Sequence, residues 1–219
     1  MSRSKIQNTP TIRRMPTYLH KLLKMQAEGR VRVSSTELAE YMNVELIVVR
    51  KDIALTGISG QRRVGYNVNE LIRYIKEFLG WRGEVKATLI GAGSLGSALL
   101  GYDDFAHYGF DIETVFDADP KKIGTTLRGR TVFDVAELEE RLREKLPEVA
   151  VICVSKESAQ EVVDRLAALG IRYMWSFANT AVKIPEGVVF QREVIAGGLA
   201  LLGVRRKLDM AERQGSAEE

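Results

Sequence analysis

Apolar residues recur at helical spacing through the first eighty positions and then gather into short continuous runs. In TIRRMPTYLHKLLKMQAEG, Leu19, Leu22 and Leu23 mark one face of a helix. Pro16 is placed to open the second part of that helix, and Gly29 stops it. VSSTELAEYMNVE sets Ser34 three residues before Glu37, a capping box, with Leu38, Ala39 and Met42 on the apolar side. Asn43 and Val44 make a turn, and LIVVRKDIAL follows. Two short helices joined so tightly predict a helix-turn-helix. With Val49 and Ile53 directed inward, Ile47, Arg50, Lys51 and Ala54 fall on the outer face. The glycine-rich basic stretch TGISGQRRVGY predicts a two-stranded wing, with Gln61, Arg62 and Arg63 at its tip and Tyr66 returning to the core. A last helix, capped by Asn67 with Glu70 at its third position, carries Leu71, Ile72, Ile75 and Leu79 to Gly80. Residues 11–79 read as a winged helix within a domain spanning 1–83.

From residue 84 the pattern changes. VKATLI, FDIETVF, VAVICV, IRYMWSF and GVVFQ are nearly continuous apolar runs separated by helical segments, the signature of a parallel sheet covered on both faces. A sheet of six or seven strands fits residues 84–192. The first run leads into IGAGSLGSALL, whose glycines stand at 91, 93 and 96. In a dinucleotide-binding turn Gly91 serves the tight bend, Gly93 lets the backbone approach a pyrophosphate, and Gly96 permits close helix–strand packing. The backbone of Gly91, Ala92, Gly93, Ser94, Leu95 and Gly96 would then face the phosphates. The next strand closes on Asp117, 21 residues beyond Gly96, where a carboxylate takes the ribose hydroxyls. Asp117 repels a 2′-phosphate and favours NAD(H) over NADP(H), against which Lys121 and Lys122 stand close by. Asp134 and Glu137 form a capping box for DVAELEERLREKL. The fold class is therefore α/β: an N-terminal winged helix-turn-helix followed by a Rossmann-like, doubly wound parallel sheet.

Charge divides the chain in the same place. Residues 1–83 hold 15 Lys/Arg against 7 Asp/Glu, and residues 84–219 hold 17 against 22. A polyanionic partner, double-stranded DNA, thus belongs to the front domain, where Arg50 and Lys51 suit a major groove and the arginines of the wing a minor groove. One cysteine, Cys153 in an apolar run, leaves no disulfide framework or metal cluster and reads as a core thiol. No run is long enough to span a bilayer, so a cytoplasmic setting is expected.

Catalytic residues are hard to place. His20 and His107 read as structural, and Asp103 and Asp104 are adjacent rather than opposed. A DNA-reading domain joined to a nucleotide-binding domain makes the cofactor a signal rather than a reagent. The alternatives are a redox-insensitive DNA-binding dimer with a structural Rossmann domain and a small NAD-dependent oxidoreductase using His107 or Tyr102.

VSSTELAEYM, VRKDIA, GQRRVGY, IGAGSLGSALLGY, FDADPKKIG and SFAN followed by IPEGVV resemble, in order and across nearly the full length, the Rex redox-sensing transcriptional repressors. That resemblance implies an NAD(H)-binding homodimer that binds palindromic operators, releases DNA when NADH binds, and swaps a C-terminal helix (residues 193–219) onto its partner. It implies DNA contacts from Arg50, Lys51 and Arg62, a cofactor set of Gly91, Gly93, Gly96 and Asp117, a nicotinamide-responsive Tyr102, and Ser155 and Phe177 at strand ends near the cofactor. The sequence departs from the family in places. The wing usually reads FGxFGKRGxGY; here Thr56 and Ser59 replace the aromatics, Gln61 the first basic residue and Arg63 a glycine. The acidic residue expected at the start of the final helix, as partner to the tyrosine network, aligns with Val194. In that helix Ile195, Leu199 and Leu202 recur at helical spacing.

Overall fold

The computed structural model describes residues 9–61 and 63–215; Arg62, at the expected wing tip, lies outside the described residues. The chain divides into two units, residues 1–84 and 85–219. In the first, helix α1 (Thr9–Ala27) runs unbroken through Pro16 rather than restarting there. Pro16 forfeits one helical hydrogen bond, but the buried face formed by Thr11, Met15, Tyr18, Leu19, Leu22 and Met25 lies on both sides of it and holds the helix together. Strand β1 (Arg32–Val33) leads into α2 (Ser35–Met42), where the Glu37 N–H donates to Ser34 Oγ at 3.1 Å. The Glu37 carboxylate takes the Ser34 N–H in return, as a capping box requires, and also pairs with Arg30 at 2.7 Å. Asn43 ends α2 in the left-handed region (φ 50°), a conformation asparagine tolerates, and α3 (Leu46–Leu55) begins after it.

Strand β2 (Tyr66–Asn67) pairs antiparallel with β1 and runs into α4 (Val68–Phe78), capped by Asn67 through the Glu70 N–H. The wing differs from the self-contained hairpin expected. Gln61 and Gly65 bridge each other, but Tyr66 pairs with Val33. Gly65 permits this: a Cβ there would overlap the Val33 carbonyl, and its φ of 83° is one that other residues rarely adopt.

One polar cluster ties this unit together. Asp52, 1% exposed on α3, accepts hydrogen bonds from Thr11 Oγ1 (2.6 Å), Arg14 Nε and Nη2 (2.6 and 2.7 Å) and the Tyr18 hydroxyl (2.9 Å), all on α1. Burial pushes the Asp52 carboxyl upward, and the hydrogen bonds from Arg14, Thr11 and Tyr18 outweigh it, so its pKa lies below the ordinary value.

The second unit is built on seven strands: β3 (Val85–Ile90), β4 (Phe110–Asp117), β5 (Thr126–Leu127), β6 (Arg130–Asp134), β7 (Val149–Ile152), β8 (Tyr173–Ser176) and β9 (Val189–Arg192). Their order is β5-β6-β4-β3-β7-β8-β9, parallel throughout except for the antiparallel β5–β6 pair at one edge. The chain leaves β3 towards β4 and β6, then crosses back to β7, β8 and β9. Two apolar clusters cover the two faces, as the period of two along each strand requires. Ile90, Phe116, Ala150, Ile152 and Met174 pack with α7 (Leu138–Arg143) and α8 (Ala159–Ala168) through Leu138, Leu142, Val163 and Leu166. Leu89, Val115, Val151 and Trp175 pack with α5 (Ser94–Leu100) and α6 (Asp104–His107) through Leu99, Leu100 and Phe105. The Asp134 cap also departs from expectation: it accepts from the Ala136 N–H at 2.8 Å and opens a short 3-10 turn before α7. The chain ends in α9 (Ala196–Gly215), continuous through Gly197, Gly198 and Gly203. No helix among the described residues is long and apolar enough to cross a membrane.

Candidate functional site

The strand order places a switch point between β3 and β7, where chain connections run in opposite directions and a crevice opens beyond the strand ends. The glycine turn occupies one lip. Gly91 has φ 101°, its N–H donates to the Phe116 carbonyl at 2.8 Å, and a Cβ on it would come within 2.5 Å of the Cys153 carbonyl oxygen. A Cβ on Gly96 would overlap the Gly91 carbonyl, so this glycine lets α5 start directly against the turn. Gly93 is different, for a Cβ there would meet nothing within 4 Å. Its side faces open space, and it lines both cavities that flank the turn.

This contrast yields a prediction. Gly93→Ala should leave the unfolding free energy within about 0.5 kcal/mol of the parent and weaken dinucleotide binding about tenfold or more. Gly96→Ala should destabilise the second unit itself. Thermal unfolding and calorimetric titration with NADH separate the two; a Gly93→Ala protein that binds as the parent does would refute the close approach.

A cavity of about 400 Å³ is lined by Gly91, Gly93, Asp117, Lys122, Cys153, Ser155, Glu161 and Arg165, among others. A second, of about 380 Å³, is lined by Ala92, Gly93, Ser94, Ser97, Lys122 and Thr125 with Leu127 and Val132. Asp117, at the end of β4, is largely buried. Its Oδ2 accepts from the Ala92 N–H (2.7 Å) and Lys122 Nζ (3.1 Å), and its Oδ1 from the Asp119 N–H (2.8 Å). Burial raises its pKa, and the Asp119 N–H, Lys122 and the Ala92 N–H more than reverse the effect, keeping the carboxylate ionised. Lys122 and Arg165 escaped sequence reasoning as part of this site. In the sequence Lys122 reads only as a nearby charge, and Arg165, on α8 and paired with Glu139 at 2.7 Å, carries no motif.

The remaining expected residues are placed as follows. Ser155, three residues past β7, is on the cavity wall. Leu95, Gly96, Tyr102 and Phe177 are not among the lining residues of either cavity. Phe177 lies tilted against Trp175, ring centroids 4.7 Å apart, on the α5 face of the sheet. Tyr102 is not on α5, which stops at Leu100 because Gly101 caps it. With Val194 at the position of the expected acid, the hydroxyl finds an acidic acceptor elsewhere in its own chain. The Tyr102 hydroxyl donates to Asp104 Oδ2 at 3.0 Å, a hydrogen bond that raises its pKa, and its ring meets Phe105 edge-on. Cys153 is half-buried rather than sealed in the core, with its thiol pushed up to about 12 by desolvation. Among the described residues no group of His, Cys, Asp and Glu is arranged to hold a metal.

In the first unit, α3 directs Val49, Asp52 and Ile53 inward and leaves Ile47, Arg50, Lys51 and Ala54 exposed. Gln61 and Arg63 are exposed at the wing turn, where Arg63 takes φ 64°. This is left-handed backbone, favourable for the glycine of the usual pattern and costing an ordinary residue about 1–2 kcal/mol.

A family model described as a CoA binding domain matches residues 83–180, and one described as "Putative DNA-binding protein N-terminus" matches residues 8–54. The redox-sensing transcriptional repressor Rex of Treponema denticola is 42% identical over 204 residues, which cover 93% of this chain and 97% of that protein. This chain belongs to the Rex family. The Bacteroides fragilis redox-sensing transcriptional repressor Rex is 36% identical over 193 residues, covering 88% of each chain. Among solved structures, RSP, a Rex-family repressor, matches with TM-score 0.80 at 30% identity, covering 96% of this chain and 99% of RSP. RSP in complex with beta-NAD+ and operator DNA matches with TM-score 0.82 at 30% identity, covering 99% and 100%. The complex of RSP with beta-NADH gives TM-score 0.82 at 29% identity, covering 96% and 99%. Rex proteins are transcriptional repressors, and this sets aside the oxidoreductase alternative.

Proposed function

We propose that this protein is a homodimeric transcriptional repressor of the cytoplasm that binds an inverted-repeat operator and releases it as NADH replaces NAD. Arg50 and Lys51 enter the major groove from the exposed face of α3, and Gln61, Arg62 and Arg63 follow the backbone and minor groove from the wing. The dinucleotide lies across the switch point, its pyrophosphate against the turn from Gly91 through Ala92, Gly93, Ser94 and Leu95 to Gly96. Its adenosine ribose bonds Asp117, and its nicotinamide end lies towards Ser155, Phe177 and Tyr102. The observation that carries this reading is the pairing, in one chain, of an exposed Arg50–Lys51 face with a glycine turn that opens onto a cavity at a switch point.

NAD and NADH differ in the charge and planarity of the nicotinamide ring, far from the ribose, so Asp117 selects the cofactor and cannot report its redox state. Reporting requires a group near the ring and two arrangements of the dimer that the ring biases differently. Tyr102, paired with Asp104, supplies a hydroxyl whose hydrogen bond is made within its own chain. Operator affinity measured with saturating NAD, saturating NADH and neither should therefore differ, NADH giving the weakest binding. A tenfold change corresponds to about 1.4 kcal/mol of coupling. Tyr102→Phe should shrink the difference. Three equal affinities would leave a DNA-binding protein that carries a cofactor without reading it. On the DNA side, Lys51→Ala and Arg50→Ala should flatten the salt dependence or lower the ratio of specific to non-specific binding, according to whether phosphate or base is lost.

A further inference from the structure

Asp117 and Lys122 form one unit rather than a selector with a bystander. The ammonium donates to Asp117 Oδ2 at 3.1 Å and lies 3.9 Å from Asp119 Oδ2, and its side chain remains 37% exposed. Lys122 also stands on the wall between the two cavities. Asp117 faces one of them, while the other is lined by Ser94 and Ser97 together with Lys122 and has no carboxylate in its lining. An ammonium has three N–H groups, so the bond to Asp117 leaves it able to donate to a ligand oxygen as well. Asp117 Oδ1 accepts one hydrogen bond from protein and keeps capacity for a ribose hydroxyl.

Resting on the dinucleotide reading above, we infer that Lys122 is a specificity-determining residue for the adenosine ribose. Paired with Asp117 it holds the carboxylate in place to accept from an unphosphorylated ribose. With the Ser94 and Ser97 hydroxyls it also forms a phosphate subsite that the charge of Asp117 keeps closed to a 2′-phosphate. The second cavity, lined by Lys122, Ser94 and Ser97, has the chemistry of an NADP(H) site, and Asp117, with Asp119 3.9 Å from the same ammonium, supplies the negative charge that opposes it.

Calorimetric titration of the full-length protein with NADH and NADPH tests this on four forms: the parent, Lys122→Met, Asp117→Asn and the double variant. The parent should prefer NADH. Lys122→Met should weaken NADH about threefold to tenfold by releasing Asp117. Asp117→Asn, whose amide oxygen can still accept the Ala92 N–H, should move the preference at least tenfold towards NADPH. The double variant should lose that gain. A double variant that binds NADPH as tightly as Asp117→Asn would overturn the assignment, as would a Lys122→Met protein that binds both dinucleotides like the parent. The Lys122→Met arm keeps Asp117 intact and stands even if Asp117→Asn fails to fold. A parent protein that binds neither dinucleotide would instead overturn the dinucleotide reading itself.

Discussion

Asp52→Ala should lower the unfolding free energy of the N-terminal unit by about 3–5 kcal/mol, the usual cost of removing one partner from a buried ion pair. The geometry accounts for the size. Four hydrogen bonds from Thr11, Arg14 and Tyr18 converge on one carboxylate, and the substitution leaves a guanidinium and two hydroxyls facing a void. The cluster ties α1 to the helix carrying Arg50 and Lys51, so operator binding should fall with stability. The pH dependence follows from the two directions of shift. Asp52 is depressed below its unfolded value of about 3.9, so its contribution is present above that pH and fades as pH falls through the folded pKa. Tyr18 is driven up, by burial first and by its bond to Asp52 second, so its contribution is present below its unfolded value of about 10 and fades as pH rises towards the folded pKa. Trp81 lies in the first unit and Trp175 in the second, so denaturant unfolding of single-tryptophan variants reports each unit separately. A loss under about 1 kcal/mol in the Trp81 transition would mean that the cluster is no more than a surface-strength pair.

Asp52 also marks where sequence reading stops. The phase of α3 was legible because Val49 and Ile53 recur at helical spacing, and that pattern correctly left Arg50 and Lys51 outside. Within the run RKD, however, nothing distinguishes an acid that will be buried. Its partners lie 34 to 41 residues away, and only the packing of α1 on α3 brings them to it. The glycine turn was legible for the opposite reason: its constraints are backbone collisions at Gly91 and Gly96, and no other residue satisfies them. The β5–β6 hairpin was hidden by its turn, where Arg128 (φ 49°) stands in left-handed backbone before Gly129 (φ 79°) in place of the asparagine or aspartate that usually announces such a turn. Tyr102 and Asp104 are two residues apart, a spacing that separates side chains on a helix; they meet because the helix ends at Gly101.

Removing residues 194–219 should convert the protein to a monomer at micromolar concentration and weaken operator binding about a hundredfold or more. Every described side chain of α9 is exposed, including Leu199 (71%), Leu202 (62%) and Leu208 (59%), as is Ile195 (67%) just before the helix. The helix therefore does not cover its own sheet, and a contiguous apolar surface of this kind marks an interaction site. Fully burying one such side chain is worth about 1.5–3 kcal/mol, so several of them together offset the roughly 4–15 kcal/mol lost on association. The cut falls after Glu193, whose N–H donates to the Ser176 carbonyl at 2.8 Å, so β9 and its pairing with β8 are retained. An inverted repeat presents two half-sites to a twofold-symmetric protein, and a monomer engages only one, losing the benefit of simultaneous contact. Leu199→Glu with Leu202→Glu tests the same surface with the chain length unchanged. Sedimentation and operator titration on both forms decide the matter: a truncated protein still dimeric at micromolar concentration would place the dimer contact elsewhere on the second unit. A monomer with undiminished operator affinity would instead remove the two-half-site reading while leaving α9 as the dimer contact.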